Sequence, residues 1–258
     1  MTARKLGYRP SPPSEGLSAA RRLGAGPVPE ASNLRALTIL ENQDHQDCTA
    51  NAIANAVRGA QIAAGAPAST PLPSRRAIYW LERAYLRETS QDAGAFIHLG
   101  FQALNAFGFC PEPSWPYDDV GDRWKRTPPL EVMQAAFDQR QPVDYQRIMS
   151  VGDDLVDDVK RALGAGHLVV YGVQVTEDFC SGNLGPTGVA QAPGPGDQIA
   201  GGHAMVFCGH SPDWAESLTS WGPDVFDGGY FKMSWDYVKQ ATDLWIVAGA
   251  PIYRPGAY

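Results

Sequence analysis

The stretch from Cys48 to about Ala63 constrains the fold most, because it reads as a helix that is apolar on nearly every face. Alanine, isoleucine and valine fill most of its positions, and a Pro-rich stretch at 67–73 ends it. A helix with so little polar surface belongs in the core of a protein. The sequence therefore predicts a long central helix around which other elements pack.

Cys48 stands at the N-terminus of this helix, directly after the polar turn 43–47. A thiol there faces unpaired backbone N–H groups and the positive end of the helix dipole, and both favour the thiolate. We therefore expect the pKa of Cys48 to lie well below the free value of roughly 8.5. Thiolate is the nucleophilic form of sulfur, so Cys48 is a candidate nucleophile.

Composition excludes several classes of protein. With 258 residues, 44% hydrophobic and 19% charged, the chain can bury a large core in one domain or in two packed lobes. The net charge of -7 argues against a nucleic-acid partner, and the basic pairs at 21–22 and 75–76 are too short to form a binding stripe. No stretch approaches the roughly 18 apolar residues that a membrane span requires.

Four widely spaced cysteines, without a Cys-x-x-Cys pair, suggest neither a zinc ribbon nor a thioredoxin-type site. We accordingly expect no metal and no other cofactor. The N-terminal residues lack the apolar run of a secretory signal. The expected location is the cytoplasm, or outside the cell by a signal-independent route.

Helical patterns precede strand patterns along the chain. Residues 1–33 are rich in Pro, Gly, Ser and Arg, which predicts either an extended leader on the body or a partly disordered tail. Residues 34–40 predict a short strand. Further helices are expected at 75–88 (with Ser74 as N-cap), 95–107, 130–139 and 153–163. Strands are expected at 167–173, 203–208, 229–234 and 244–250, with a Gly/Pro-rich loop from 181 to 202. Such an order indicates an α+β protein with two lobes and a cleft between them.

Two later segments carry residue types that complete a cysteine site. His203 opens an apolar strand directly after a double glycine, in Gly-Gly-His-Ala-Met-Val-Phe. The second segment, at 219–234, reads Thr-Ser-Trp-Gly and continues to Gly-Gly-Tyr-Phe. A lone histidine beside a strand is more often structural, but an ordered set of three segments favours a catalytic role.

In this order, the three segments resemble the papain-like cysteine peptidases, in the form typical of their bacterial and viral branch. Residues 92–95, 107–112 and 115–118 resemble further segments of the same family. The resemblance implies a papain-like α+β fold over residues 34–258, after a leader at 1–33. Its helical lobe would span about 44–140, and an antiparallel, β-barrel-like lobe would span about 141–258.

The resemblance also implies a peptidase mechanism without a metal. Cys48 would attack the substrate carbonyl, and His203 would hold its proton as imidazolium and pass it to the leaving amine. The Cys48 N–H and the Gln43 side chain would form the oxyanion hole. Gln43 lies five positions before the cysteine where the family has six, so Asn42 and, less favourably, Gln46 remain alternatives.

Thr219 stands where the family has the asparagine that orients the histidine. A threonine hydroxyl can accept the same hydrogen bond, but it reaches less far and has restricted rotamers. Asp213 or Glu216 could substitute as the acceptor. Trp221 would shield the bond from water. We therefore expect a cysteine endopeptidase with reduced activity.

Substrate-binding roles are implied for Gly94, Ala95, Gly202 and Trp221. Gly94 would let a peptide backbone approach closely, or would simply serve a turn. The specificity pocket would be lined by residues 92–96, the loop before His203 and the far wall of the barrel. The partner would be a peptide or protein substrate.

Other interpretations remain open from the sequence. The same fold could be catalytically weak or inactive and bind peptides or proteins in its cleft. An acyl transferase or peptidoglycan amidase would share the Cys-then-His order, and Cys48 could be merely structural. Finally, the leader is too short for a large helical pro-segment, but it could lie across the cleft.

Overall fold

The structure is a computed structural model that describes residues 4–12, 26–118 and 121–253. The helices in these residues are α1 (Cys48–Ala63), α2 (Arg75–Leu86), α3 (Ile97–Phe107), α4 (Leu130–Asp138), α5 (Gly152–Gly164), α6 (Glu177–Cys180) and α7 (Trp235–Val238). The strands are β1 (Ser32–Asn33), β2 (Asp144–Ile148), β3 (Val169–Thr176), β4 (Val189–Ala190), β5 (Ile199–His210), β6 (Trp214–Leu218), β7 (Tyr230–Ser234) and β8 (Asp243–Gly249). Within the described chain, no helix combines the length and apolar character needed to cross a membrane.

One sheet joins the strands in the order β2-β8-β3-β5-β6-β7-β4, and β1 pairs with β5 as a branch. The pairs are antiparallel except β4 with β7, which is parallel. The first three helices precede most of the sheet in the chain. The expected α+β class, with helices in front and a largely antiparallel sheet behind, is confirmed.

The central helix is α1, and every residue from Cys48 to Gln61 is buried. It packs against β5 and β8 on the sheet and against α2 and α3. The buried Arg58 guanidinium donates hydrogen bonds to the carbonyls of Leu37, Ala68 and Thr70. These bonds offset the cost of burying a charge in the core. The prediction of a core helix beginning at Cys48 is therefore confirmed.

Side chains on β5 alternate between two hydrophobic clusters on opposite faces of the sheet. Ala204, Val206 and Cys208 belong to the cluster around α1. Met205 and Phe207 belong to the cluster that includes α5. Because both faces are covered, residues 204–208 are apolar at successive positions. The strand lies directly against α1, and Ala204 contacts Cys48 at the N-terminus of that helix.

Helices α2 to α5 also match their predicted positions within two residues, whereas the short helices α6 and α7 were not predicted. The Ser74 hydroxyl accepts a hydrogen bond from the Ala77 N–H at 3.2 Å, as expected of the N-cap of α2. The strand predicted at 34–40 is wrong, because Arg35–Leu37 forms a 3-10 turn. Thr38 closes this turn with its hydroxyl on the Arg35 carbonyl at 2.8 Å, a local bond that competes with strand pairing.

The predicted loop at 181–202 is only partly correct. Residues Val189–Ala190 pair with β7, and β5 already begins at Ile199. The sequence also gave no indication of β2 and β6, whose patterns, Asp-Tyr-Gln-Arg-Ile and Trp-Ala-Glu-Ser-Leu, mix polar and apolar residues. Both gain their strand conformation from neighbours in the sheet, β8 for β2 and β5 and β7 for β6.

Candidate active site

The fold brings the start of α1 against the first half of β5. Cys48 is the first residue of α1, and His203 lies on β5 opposite Val173 of β3. Both side chains are fully buried. A backbone hydrogen bond from Ala204, the residue after His203, reaches the Cys48 thiol. The candidate nucleophile and the strand that carries the candidate base are thus in direct contact.

Two neighbours contact the His203 imidazole: Thr219 at one ring nitrogen and Trp221 on one face of the ring. Its Nε2 lies 3.0 Å from the Thr219 Oγ1, and both residues are buried. The Trp221 ring stacks on the imidazole with centroids 4.3 Å apart and planes 14° apart. Among the described residues, Nδ1 has no hydrogen-bond partner. One ring nitrogen is therefore fixed, and the other is left for a reacting group.

Thr219 reaches the imidazole despite its short side chain because of its place in the fold. It directly follows β6, and its N–H donates to the Gly229 carbonyl at 3.0 Å. The two alternative acceptors lie elsewhere in this structure: Glu216 forms an ion pair with Arg35 at 2.7 Å, and Asp213 is exposed. Thr219 is therefore the one of these three side chains that contacts the imidazole.

Gln43 is a buried member of the polar turn before α1. Its N–H donates to the Ser220 carbonyl at 2.8 Å, and its Oε1 accepts a hydrogen bond from the Ser220 hydroxyl. The Nε2 donates to the carbonyls of His45 at 2.8 Å and Lys5 at 3.1 Å. The competing Asn42 is exposed. Of these two side-chain amides, Gln43 is the one whose Nε2 donates to a carbonyl in the cleft, that of Lys5.

Asp92 stabilises the polar turn 43–47 by linking it to Tyr79 of α2, a role that the sequence did not predict. Its carboxylate accepts hydrogen bonds from the Gln46 N–H at 2.9 Å and the Tyr79 hydroxyl at 2.6 Å. His45 Nδ1 lies 3.4 Å from its other oxygen. Its place in the segment 92–96 does not indicate which backbone group it binds.

Residues 4–12, which we call the strap, run through the cleft as an extended chain. The Ala95 N–H donates to the Gly7 carbonyl at 2.8 Å, and the Arg9 N–H donates to the Ala95 carbonyl at 2.8 Å. On the opposite wall, the Tyr8 N–H donates to the Gly202 carbonyl at 3.2 Å. The strap is therefore paired by its backbone with both walls.

The strap lies directly over the nucleophile. A backbone hydrogen bond from Gly7 reaches the Cys48 thiol. A Cβ atom on Gly7 would collide with the Gln46 carbonyl, and a Cβ on Gly94 would collide with the Gly7 backbone. Gly94 also has a φ of +71°. This glycine accordingly serves both a turn and a close backbone approach, and the approaching backbone is that of the strap.

The remaining candidate substrate-binding residue also contacts the strap. Trp221 Nε1 donates to the Lys5 carbonyl at 3.3 Å, and its own carbonyl accepts from Arg4 at 3.5 Å. The structure thus gathers all eight candidate residues along one cleft: Gln43, Cys48, Gly94, Ala95, Gly202, His203, Thr219 and Trp221. Residues 1–3 and 13–25 of the predicted leader lie outside the described residues.

Burial under the strap changes the protonation of the site. Loss of water raises the pKa of the Cys48 thiol to about 12, although the backbone hydrogen bonds of Ala204 and Gly7 oppose this increase. Burial also lowers the pKa of His203 to about 3. The expected low thiol pKa is therefore wrong for the covered site, because desolvation of the thiolate outweighs the helix dipole. At neutral pH the covered pair is thiol and neutral imidazole.

Comparisons with known proteins bear on the family and the fold of the chain. No protein-family model matches the chain. The chain is 35% identical over 222 residues to an uncharacterised peptidase C1-like protein of Acanthamoeba polyphaga mimivirus, covering 83% of this chain and 70% of that protein. It superposes on xylellain, a cysteine protease from Xylella fastidiosa, with a TM-score of 0.78 and 26% identity, over 97% of this chain and 99% of that one. The fold is shared with proCathepsin B from Trypanosoma congolense, with a TM-score of 0.67 and 14% identity over 96% of this chain and 87% of that one.

Proposed function

Because the chain belongs to the papain-like, peptidase C1 family, we propose that it hydrolyses peptide bonds through Cys48 and a covalent acyl-enzyme. The observation that carries this proposal is the contact between Cys48 at the start of α1 and Ala204 on β5. In this arrangement the Cys48 thiol lies beside the strand that carries His203, and the Nε2 of the His203 imidazole contacts Thr219. A nucleophile, a base and an orienting group are the three members that such chemistry requires.

In the proposed reaction, the Cys48 thiolate attacks the carbonyl carbon while His203 carries the thiol proton. The developing oxyanion accepts hydrogen bonds from the Cys48 N–H and the Gln43 side chain. His203 then gives its proton to the leaving amine, and the carbon–nitrogen bond breaks. A water molecule, deprotonated by His203, attacks the thioester and releases a carboxylate and the thiol.

We further propose that the strap inhibits the enzyme in the covered state. Its backbone takes the hydrogen-bonding positions that a substrate backbone would use on both walls of the cleft, and it excludes water from the Cys48 thiol. Arg9 anchors it through an ion pair with Glu88 at 2.8 Å and a hydrogen bond to the Ala93 carbonyl at 2.9 Å. Substrate can enter only after the strap leaves.

The test of this function needs an open cleft. In Gly7→Leu, the side chain collides with the Gln46 main chain and keeps the strap from seating. This variant is incubated with a broad peptide library, and the products are identified by mass spectrometry. Hydrolysis gives new free carboxylates, whereas an acyl transferase would give conjugates. Peptide binding without any cleavage would instead identify an inactive binding cleft.

The hydrogen bond between His203 and Thr219 gives a graded prediction. Thr219→Val in the Gly7→Leu chain keeps the shape of the side chain but leaves the buried ring nitrogen without a partner. An unpaired buried polar group costs about 1–3 kcal/mol, so we expect kcat to fall by about 10- to 100-fold. Thr219→Ser, which keeps the hydroxyl, should lose less. Equal kcat for the valine and serine variants would contradict an orienting role.

A further inference from the structure

We propose that Tyr117 is a positioning residue that sets the geometry of the oxyanion hole. This inference rests on the proposed peptidase function and concerns how the two oxyanion donors are held. Tyr117 belongs to the Trp-Pro-Tyr segment at 115–117, in the loop between α3 and α4. Its hydroxyl bridges the two ends of the polar turn 43–47, which connects Gln43 to Cys48.

The Tyr117 hydroxyl both accepts and donates a hydrogen bond on this turn. It accepts one from the Asp44 N–H at 3.0 Å and donates one to the Asp47 Oδ2 at 2.6 Å. Asp44 directly follows Gln43, and Asp47 directly precedes Cys48. A hydroxyl can donate and accept at once, whereas a phenylalanine ring offers neither bond. One side chain therefore fixes the distance between the segments that carry the two oxyanion donors.

The Tyr117 ring is itself held in place. The Arg75 guanidinium of α2 lies 4.0 Å from the ring centroid, a contact that attracts the two groups. The Tyr117 N–H donates to the Glu112 Oε1 at 3.0 Å, and the same oxygen forms an ion pair with Arg75 at 3.0 Å. Arg75 also donates to the Asn51 Oδ1 at 3.0 Å, and the Asn51 Nδ2 donates to the Asp47 carbonyl at 3.0 Å. These contacts fix the hydroxyl relative to the first turn of α1.

The Asp47 carboxylate serves this bridge and not the charge of the thiolate. It is 1% exposed and directly precedes the nucleophile. Burial is the main cause of the raised pKa of the Cys48 thiol, and the negative charge of Asp47 raises that pKa further. The hydrogen bond from Tyr117 and the N-terminus of α1 offset the cost of burying the carboxylate. The part of Asp47 in catalysis is to bind Tyr117, which an uncharged oxygen can also do.

The kinetic test uses the Gly7→Leu chain, whose cleft is open. Tyr117→Phe should lower kcat for the best library peptide by about 3- to 30-fold, with KM changed by less than about 2-fold, because a displaced amide affects the oxyanion more than the bound peptide. Gln43→Ala should lower kcat by about 100- to 1,000-fold. Adding Tyr117→Phe to Gln43→Ala should cost less than about 3-fold more, since the amide that Tyr117 positions is then absent.

Two substitutions of Asp47 separate geometry from charge. Asp47→Asn keeps an oxygen for the Tyr117 hydroxyl, so kcat should stay within about 3-fold of the parent value. Asp47→Leu removes that oxygen and should match Tyr117→Phe. The matched control is Tyr85→Phe, which removes the hydroxyl of an exposed tyrosine on α2 and should leave kcat unchanged. Equal losses in the asparagine and leucine variants would contradict a bridge through an oxygen atom.

Amide hydrogen exchange in the full-length chain tests the bridge without any catalysis. The Asp44 N–H should exchange about 2- to 10-fold faster in Tyr117→Phe than in the parent chain, because one hydrogen bond is lost. The Ala95 N–H, which donates to the Gly7 carbonyl, should keep its rate and serves as the internal control. Melting temperatures of both proteins exclude global unfolding as the cause.

The outcomes distinguish this inference from the proposed function. Unchanged kcat in Tyr117→Phe, or an equal loss with and without the Gln43 amide, would refute the positioning role and leave the peptidase intact. Absence of cleavage by every variant would refute the peptidase, and the Asp44 exchange rate would then decide whether Tyr117 holds the turn. An Asp44 N–H that exchanges at the parent rate in Tyr117→Phe would refute the bridge itself.

Discussion

Cys48→Ala in the Gly7→Leu chain is expected to abolish peptide hydrolysis, lowering kcat by about 10⁵-fold or more. The reason is that no other group in the site can form the acyl intermediate, and removal of the nucleophile from comparable triads costs on the order of 10⁶ in kcat. The measurement is turnover of the best library peptide by the two variants at equal concentration.

Cys180→Ala supplies the matched control. Cys180 is the half-exposed cysteine at the end of α6, whereas Cys110 and Cys208 are buried. Burial and the Glu177 carboxylate raise the pKa of the Cys180 thiol to about 11. We expect this variant to keep the hydrolysis rate of its parent. Full activity of Cys48→Ala, or loss of activity in Cys180→Ala, would contradict Cys48 as the nucleophile.

The second large effect is expected from Gly7→Leu itself. Overpacking against the Gln46 main chain costs about 1–3 kcal/mol, so the open state should become about 10- to 100-fold more populated. Alkylation of Cys48 at neutral pH should accelerate by the same factor. The pH profile should also move. In the covered chain the thiol ionises only as pH approaches about 12. Removing the strap restores hydration of the thiolate, lowers this pKa and brings the rise in labelling to lower pH.

Gly26→Ala separates this effect from a general effect of substitution in the leader. A Cβ on Gly26 meets no neighbour, so this variant should label like the parent chain. Melting temperatures of the three proteins exclude global unfolding as the cause of faster labelling. If Gly7→Leu labels at the parent rate and with the parent pH profile, the strap does not control access to the thiol.

Local sequence patterns were sufficient to predict helices and strands that are buried along their whole length. The stretch from Cys48 to Ala63 is alanine-rich because α1 is enclosed by α2, α3 and the sheet, and that enclosure is visible as the alanine, isoleucine and valine that fill most of its positions. The strand at Val169–Thr176 is apolar at successive positions because both of its faces contact hydrophobic clusters. The order of the cysteine, histidine and Ser-Trp-Gly segments indicated the family and hence the fold.

The path of the strap, the pKa of Cys48 and the contact of Thr219 with His203 could not be predicted, because they depend on contacts between residues far apart in the chain. Gly7, Tyr8 and Arg9 show no periodicity, and their conformation is set by hydrogen bonds to residues 95 and 202. The pKa of Cys48 follows from the same contacts, because the helix N-terminus alone predicts the opposite direction. Whether Thr219 could reach His203 depended on where the chain leaves β6.

Covalent labelling by a thiol-directed epoxide, read by intact mass and peptide mapping, tests the central claim most directly. We predict one adduct per chain on Cys48 in Gly7→Leu, the same adduct formed about 10- to 100-fold more slowly in the parent chain, and none at this site in Gly7→Leu/Cys48→Ala. Adducts that map to Cys180 instead, or an unlabelled Cys48 in Gly7→Leu, would contradict a papain-type nucleophile under an inhibitory strap.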